Sequence, residues 1–347
     1  MSKVLVVATS RKTRGGITAV VKAHEAGEQW KRFHCHWVQT HRDGSKWRKV
    51  LYLARGMADF IVRVPFYDIV HIHISQPTTI KRKFPFLRIA KRLGKKVIVH
   101  FHAFSVENTV AGKESDKYRR FFYDADRIIV LSEWWKRQLI ETLSIPKDKV
   151  EVLYNPCPQV EENQCAKHKN ILYAGTVNER KGYSDLIRAF AIIAPAHPEW
   201  TLVFAGNGEV EQGRRLAAEL GVADRVEFLG WVSGDAKEKA FQEASVFCLP
   251  SYAEGFPMAV LDAWAYGLPV VTTPVGGLPD VAKDGENMLL FTPGDIYTLA
   301  IQLERMIVDE RLRARIAEES ERFANGLFSI GAVNKKLADI YASLADR

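Results

Sequence analysis

The hydrophobic positions of the chain fall into two patterns that alternate along it. Short and almost continuous apolar runs, such as KVLVVAT (3–9) and DIVHIHIS (68–75), are typical of parallel strands buried on both faces. Between them, apolar residues recur every three or four positions, as in WRKVLYLARGMADFIVRV (47–64), which predicts an amphipathic helix. Because strands that alternate with helices form parallel sheets, the first half of the chain predicts a Rossmann-like α/β domain.

The same alternation starts again near residue 170 and predicts a second Rossmann-like domain. Its first strands are NILYAGTV (170–177) and TLVFAGNG (201–208), and from residue 295 the pattern is helical to the end. The polar segment 156–170, which carries two prolines, is the expected linker. Ligands of such domains bind beyond the carboxyl ends of the strands, so we expect a site in the cleft between the two halves.

Length and composition support this organisation. A chain of 347 residues, 47% of them hydrophobic, suits two globular domains. No apolar run approaches the ~20 residues that a membrane-spanning helix needs, and the N-terminus runs directly into a strand, so we expect a cytoplasmic protein. The four cysteines have no C-x-x-C spacing and are expected to be free thiols: Cys35, Cys157, Cys165 and Cys248.

Charge divides the chain in two. Residues 1–155 carry 30 Lys and Arg against 14 Asp and Glu, whereas acidic residues are in excess in the remainder. Cations lie among aromatic and apolar residues in 81–96, 30–33 and 45–49, a mixture that suits an anionic membrane surface. No nucleic-acid recognition motif accompanies the charge, so we expect the N-terminal half to dock on the inner leaflet and to bind no nucleic acid. Solvated helix faces are the alternative.

The stretch SYAEGFPMAVLDAWAYGLPV (251–270) carries the clearest candidate chemistry. Pro257 suits the first residue of a helix of about ten residues, which Gly267 ends. The backbone N–H groups at the start of this helix, together with the positive end of its dipole, predict a seat for a phosphate or diphosphate.

Two carboxylates flank this seat, Glu254 in the turn and Asp262 inside the helix. Carboxylates suit hydrogen bonds to vicinal hydroxyl groups, such as those of a sugar or a ribose. The residues therefore predict a sugar-nucleotide site, whereas an ordinary βα turn with a surface Glu is the simpler alternative.

This stretch resembles the acidic motif of the retaining glycosyltransferases of family 4, although Asp262 stands where the family usually has Glu. The resemblance extends over nearly the whole chain, through segments that occur in the family's order: DIVHIH, VHFHAF, VLSEWWKRQL, VLYNP, YAGTVNERKG, AGNGE, FLGWV and GGLPDVAKDGENMLL. It implies the GT-B fold, an α/β architecture in which two Rossmann-like domains face a deep cleft. The implied domains are an acceptor-binding domain of residues 1–160, to which a C-terminal helix (330–347) crosses back, and a nucleotide-sugar-binding domain of residues 168–328.

The resemblance also assigns roles to residues. It implies that His102, Lys181 and Glu254 act in catalysis. The donor is expected to contact Gly15, Gly16, Arg180, Gly255, Phe256, Pro257, Met258, Asp262 and Gly277. The family places an Arg where this chain has Thr176, which cannot neutralise phosphate charge; the neighbouring Arg180 is a candidate to compensate.

Two H-x-H pairs, His71 with His73 and His100 with His102, end apolar strands. Residues two apart on a strand point the same way, so each pair could in principle bind a metal ion. No Asp or Glu stands at a ligand spacing beside them, and the resemblance implies a reaction that needs no catalytic metal. We therefore expect no metal and no cofactor, and interpret His71, His73 and His100 as packed or cleft-lining.

The function implied is a retaining, metal-independent hexosyl transfer from a UDP- or GDP-linked sugar to a glycan or lipid-linked acceptor. Bacterial surface polysaccharide or glycolipid synthesis is the expected setting, at the inner face of the membrane. A nucleotide-sugar 2-epimerase of GT-B fold is one alternative. A sugar-nucleotide-binding protein without turnover is another, which Thr176 and Asp262 favour.

Overall fold

The structure is a computed structural model that describes residues 2–160 and 166–345. The described residues form two compact units. The first contains the residues up to Pro156 together with those from Ile330 onward, and the second is Cys157–Ser329. Part of the predicted linker, 161–165 with Cys165, lies outside the described residues.

The first unit is built on a sheet of six parallel strands in the order β2-β1-β3-β4-β5-β6. Its elements in chain order are β1 (Val4–Ala8), α1 (Gly16–Glu25), α2 (Glu28–Arg32), β2 (His36–Gln39), α3 (Lys46–Arg63), β3 (Ile69–Ile74), α4 (Pro77–Arg92), β4 (Lys96–Phe101), α5 (Ser115–Tyr123), β5 (Arg127–Val130), α6 (Glu133–Leu143) and β6 (Val150–Val152). The predicted buried strands at 3–9 and 68–75 are β1 and β3, both fully buried, as expected of a parallel sheet covered on both faces.

The second unit repeats this plan with six parallel strands in the order β12-β11-β10-β7-β8-β9. Its elements are β7 (Asn170–Ala174), α7 (Tyr183–Ile193), β8 (Thr201–Ala205), α8 (Val210–Glu219), β9 (Val226–Gly230), α9 (Asp235–Glu243), β10 (Val246–Leu249), α10 (Met258–Ala265), β11 (Val270–Thr272), β12 (Leu289–Leu290), α11 (Ile296–Val308) and α12 (Glu310–Asn325). Because β7 and β10 are neighbours, the loops that follow them leave the sheet side by side.

The last helix, α13 (Ile330–Ala345), follows the second unit in sequence but belongs to the first. Val333, Leu337 and Tyr341 pack with the apolar residues of β1 and β3. Asn334 ties the helix to its neighbours, since its side chain accepts from Gln29 Nε2 at 2.8 Å and donates to the carbonyl of Ala23 at 3.1 Å. The predicted return of the C-terminal helix to the first domain is confirmed.

Two of the apolar residues of α4 that were expected to face a membrane lie in the core of the first unit. Phe86 and Leu87 are fully buried in the core of the first unit, and Lys83 is buried with its Nζ donating to Thr40 Oγ1 at 2.6 Å. Phe33 of the 30–33 stretch is buried as well. For Phe86, Leu87 and Phe33 the expected contact with a headgroup boundary was wrong, because a buried helix face carries the same periodicity as a lipid-facing one.

Exposed apolar side chains do occur in the predicted stretch 45–49 and its continuation along α3. Trp47, Val50 and Leu51 have exposed fractions of 69%, 66% and 51%, and cationic side chains alternate with them along the helix. None of the helices among the described residues is both long enough and apolar enough to cross a membrane. The described cysteines, Cys35 and two buried ones, are free thiols, as predicted.

Candidate functional site

The turn that follows β10 carries the acidic motif of the second unit. Pro257 is the N-cap of α10 and not its first residue, and the helix has eight residues, fewer than the ten predicted. It ends at Ala265 with Tyr266 as its C-cap, and Gly267 adopts a φ of 62°, the left-handed conformation that a glycine takes after a helix. The predicted terminating glycine is therefore present, and the helix begins one residue later than predicted.

Glu254 is the centre of a buried charge cluster. Its Oε1 accepts from Lys181 Nζ at 2.7 Å and from Ser251 Oγ at 2.8 Å, and Arg180 Nη1 lies 3.6 Å away. The side chains of Glu254 and Lys181 are only 10% and 14% exposed. Burial acts to raise the pKa of Glu254, but the charges of Lys181 and Arg180 outweigh it, so that the pKa is lowered. The carboxylate is ionised at neutral pH.

The loop after β7 brings the two cations to this carboxylate. Residues Glu179–Lys181 form a 3-10 turn, which the Asn178 side chain caps by accepting from Lys181 N at 3.1 Å. Gly182 follows with a φ of 70°, and a Cβ there would lie 2.1 Å from the Pro250 carbonyl oxygen. This close approach requires glycine, and it fixes the loop against the end of β10.

A third loop closes on the same turn. Gly277 N donates to the Gly255 carbonyl at 2.8 Å. At Gly276, with a φ of 64°, a Cβ would lie 2.4 Å from the Glu254 carbonyl oxygen. Glycine at this position therefore lets the loop after β11 pack directly on the backbone of the acidic turn.

Asp262 has a partner that sequence reasoning missed. Lys237 of α9 places its Nζ 2.7 Å from Asp262 Oδ1, and the two side chains are 35% and 15% exposed. Burial raises the pKa of Asp262, and Lys237 opposes that rise. Lys237 lies in no motif, so the sequence carried no signal for this pair; the expected ribose carboxylate is in an ion pair.

Phe256 and Met258 lie in the second unit at the start of α10, whereas three predicted residues, Gly15, Gly16 and His102, belong to the first unit. Gly15, with a φ of 134°, is the N-cap of α1, and Gly16 is its first residue. His102 follows β4, and its Nε2 lies 2.9 Å from His73 Nδ1. Because β1 and β4 are parallel and only β3 separates them, their carboxyl ends share one edge of the sheet. The structure thus groups the predicted residues in two sets, one in each unit.

The histidines of β3 and β4 lie next to each other. His73 is paired with His100 in the strand register, and the rings of His71, His73 and His100 have centroid separations of 4.5–5.4 Å. All three are buried, and burial lowers their pKa values well below the ordinary value. Their ligating atoms lie within 4.8 Å of one another, a spacing that could hold a metal ion.

Two family models match the chain. Residues 5–158 match the model described as Glycosyltransferase Family 4, and residues 159–323 match the model described as Glycosyl transferases group 1. Together they span both units.

Curated relatives are similar over part of their length. An uncharacterised glycosyltransferase of Methanocaldococcus jannaschii is 29% identical over 236 residues, 63% of this chain and 60% of that protein. The lipopolysaccharide core biosynthesis glycosyltransferase LpsE of Rhizobium meliloti is 34% identical over 174 residues, 50% of this chain and 49% of that protein. The matched stretch of the chain thus spans about half the length of these relatives.

Solved structures share the fold over the whole chain. HepE of Anabaena in complex with UDP-glucose has a TM-score of 0.79 at 19% identity, covering 99% of this chain and 100% of that one. The sucrose-phosphate synthase of Thermosynechococcus elongatus has a TM-score of 0.80, also at 19% identity, with both chains fully covered. At this identity the likeness concerns the fold, which is that of the GT-B glycosyltransferases.

Proposed function

The chain belongs to glycosyltransferase family 4, and we propose that it is a retaining hexosyltransferase that moves a sugar from a nucleotide-sugar donor to a glycan or lipid-linked acceptor. The single observation that carries the proposal is the buried cluster of Lys181, Arg180 and Glu254 beside the start of α10. Two cations share one carboxylate there, which leaves a net positive charge.

The proposed chemistry follows from where charge develops. In the transition state the departing diphosphate gains negative charge while the sugar ring becomes positive, so cations aimed at the phosphates are the groups that accelerate transfer. Lys181 and Arg180 supply these cations, and the backbone N–H groups around Phe256, Met258 and Ala259, at the N-terminal end of α10, are proposed to donate to the phosphates as well.

Glu254 is proposed to accept hydrogen bonds from hydroxyl groups of the donor sugar, as its ionised oxygens suit that role. We propose that the reaction needs no catalytic metal ion, because two side chains already provide positive charge. The leaving phosphate then takes the acceptor's proton, as the family resemblance implies. Donor contacts of Gly15 and Gly16 and a role of His102 in transfer remain part of the proposal.

The comparisons support a choice of donor and pathway. HepE was solved with UDP-glucose, and LpsE is named for lipopolysaccharide core biosynthesis. We therefore propose a UDP-linked sugar as the first donor to test, with GDP-linked sugars second, and surface polysaccharide or glycolipid as the product class.

Radiolabelled UDP- and GDP-sugars, incubated with the protein in the presence and absence of lipid extract, test the proposal. Label that moves into the lipid or glycan fraction, or slow donor hydrolysis without acceptor, supports the transferase. Formation of a 2-epimer favours the epimerase, and nucleotide binding without turnover favours the binding protein. If no nucleotide sugar binds or reacts, the proposal is overturned.

We also propose that the first unit docks on an anionic membrane surface through α3. Trp47, Val50 and Leu51 are exposed, and Lys46, Arg48 and Lys49 lie among them. Aromatic and apolar side chains enter the headgroup boundary while each neighbouring cation adds about 1 kcal/mol near an anionic surface.

Liposome co-sedimentation tests this docking. Binding should need anionic lipid, fade as salt rises and fall in Trp47→Glu. Tyr297→Glu is the matched control, because Tyr297 is 77% exposed on α11 of the second unit. Equal binding to neutral vesicles, or equal loss in both variants, would show that α3 is not the docking surface.

A further inference from the structure

A layer of imidazole rings lies inside the first unit, between the sheet and the helices α1 and α13. It consists of His24 from α1, His71 and His73 from β3, His100 from β4 and His102 directly after β4. Ring centroids of neighbouring members are 4.1–6.1 Å apart. The two strands present their histidines to the same face because residues two apart on a strand point the same way and His73 is opposite His100.

Several of the buried ring nitrogens lack hydrogen-bond partners. Nε2 of His71 and of His73, and both nitrogens of His100, have no partner among the described residues. A buried polar group without a partner costs about 1–3 kcal/mol, and native structures contain few of them. Several in one cluster indicate that the rings are placed for something other than packing.

Protonation is not the explanation. Burial comes first among the causes that lower the pKa values of His71, His73 and His100, and the others are further histidines and, for His73, Lys83. Within the described part of the chain no carboxylate contributes to these shifts. The rings are therefore neutral, and each carries one nitrogen lone pair that can bind a cation.

We propose that His71, His73 and His100 bind one late first-row transition-metal ion, of which Zn²⁺ is the representative. Imidazole suits Zn, Cu and Ni, whereas Mg²⁺ and Ca²⁺ need oxygen ligands that this cluster lacks among the described residues. The role is structural: the ion ties β3 to β4 and, through a hydrogen bond of His71, to α13. It takes no part in sugar transfer, and the inference does not rest on the proposed function.

Two hydrogen bonds orient the ligands. His71 Nδ1 lies 2.7 Å from Tyr341 Oη, and His73 Nδ1 lies 2.9 Å from His102 Nε2. If these Nδ1 atoms donate, Nε2 of His71 and of His73 keep the lone pairs. A metal-binding histidine commonly has its other ring nitrogen fixed in this way.

The spacing requires a small adjustment. The candidate ligand atoms lie within 4.8 Å of one another. Zn–N bonds of about 2.0–2.1 Å in a tetrahedral site place two ligand nitrogens ~3.3 Å apart. Rotation of the rings can close that difference. Three protein ligands leave a fourth position for water or a small anion, and an anion there would reduce the charge that the site buries.

Equilibrium dialysis of the untagged full chain against Zn²⁺, followed by metal analysis, tests the site. We expect one equivalent bound and a Tm higher by ~5–10 °C at free Zn²⁺ about 100-fold above Kd. His100→Gln and His73→Gln should each weaken binding at least ~10-fold. His168→Ala is the control, because His168 is 61% exposed in the second unit, and it should keep full binding.

Absence of stoichiometric Zn²⁺ binding by the wild-type chain overturns the proposal, as does binding that survives both Gln substitutions or is lost in His168→Ala. If the Gln variants do not fold, Co²⁺ added to the wild type gives an independent test. A visible d–d spectrum of tetrahedral, nitrogen-ligated Co²⁺ that Zn²⁺ abolishes supports the site. A spectrum of unligated, octahedral Co²⁺ overturns it.

Discussion

Lys181→Met should weaken nucleotide binding and Glu254→Gln should not, although the two side chains are partners in the same ion pair. Lys181 is proposed to bind the donor diphosphate, and Glu254 the donor sugar. UDP contains the diphosphate but lacks the sugar. Lys181→Met should therefore lower the affinity of the protein for UDP. Glu254→Gln should leave the affinity for UDP unchanged or raise it, because Lys181 no longer has to exchange a carboxylate for a phosphate.

The magnitudes follow from the contacts. Hydrogen bonds to charged groups contribute about 1.5–3 kcal/mol, so losing the Lys181 ammonium should raise the Kd for UDP by ~10–150-fold. Arg180, 3.6 Å from the same carboxylate oxygen, remains and keeps the loss toward the lower end. For transfer, both variants should lower kcat/KM at least about tenfold, which corresponds to ~1.4 kcal/mol of transition-state stabilisation.

Isothermal titration calorimetry with UDP and GDP measures binding, and donor turnover measures transfer. Lys283→Met and Glu286→Gln are matched controls, since they remove an exposed pair of the same unit whose atoms are 3.5 Å apart. Equal weakening of UDP by both site variants would refute the division of roles. Wild-type turnover in both site variants would show that the cluster has no role in the reaction.

Three further predictions concern the neighbouring residues. Lys237→Met should lower the free energy of unfolding in urea by about 1–2 kcal/mol, because it leaves the largely buried Asp262 carboxylate unpaired. Adding Asp262→Asn to this variant should restore most of the lost stability. Lys239→Met, on the exposed face of the same helix, should leave stability unchanged. The pKa of Glu254 is lowered, so the stability it contributes is complete above its unfolded value of about 4.3 and is lost as pH falls through the folded value; unfolding midpoints between pH 3 and 7 should fall less steeply on the acid side in Glu254→Gln than in the wild type. His102→Ala should slow transfer while sparing UDP affinity, and a loss of the folded near-UV circular dichroism signal would instead identify it as a core residue.

The local pattern of residues was enough to predict the buried strands and the acidic turn. Buried parallel strands are short apolar runs whatever surrounds them, which is why β1 and β3 lie where the sequence placed them. The turn at Glu254 is likewise defined by residues close in sequence, and Gly267 ends α10 as its conformation requires. The start of α10 differs by one residue because a proline suits both the N-cap and the first helical position.

Contacts between segments that are distant in sequence could not be predicted from the local pattern. Lys237 meets Asp262 from another helix, and nothing near either residue announces the pair. The H-x-H pairs were visible, but the strand register that places His73 beside His100 was not. From the sequence, Lys83 of α4 is expected to be a solvated cation. In the structure its aliphatic stem lies in the core and its Nζ donates to Thr40.

Thr176, together with Asp262, favoured a protein that binds nucleotide sugars without turnover, because the family places an Arg at the position of Thr176. In the structure Thr176 is exposed, whereas Arg180 turns toward the site, donates to the Ala253 carbonyl and lies near Glu254. The 3-10 turn held by Asn178 and Gly182 directs Arg180 and Lys181 to one carboxylate. We infer that Arg180 supplies the second phosphate-binding cation from a different position on the same loop, so the departure at Thr176 does not by itself argue against catalysis.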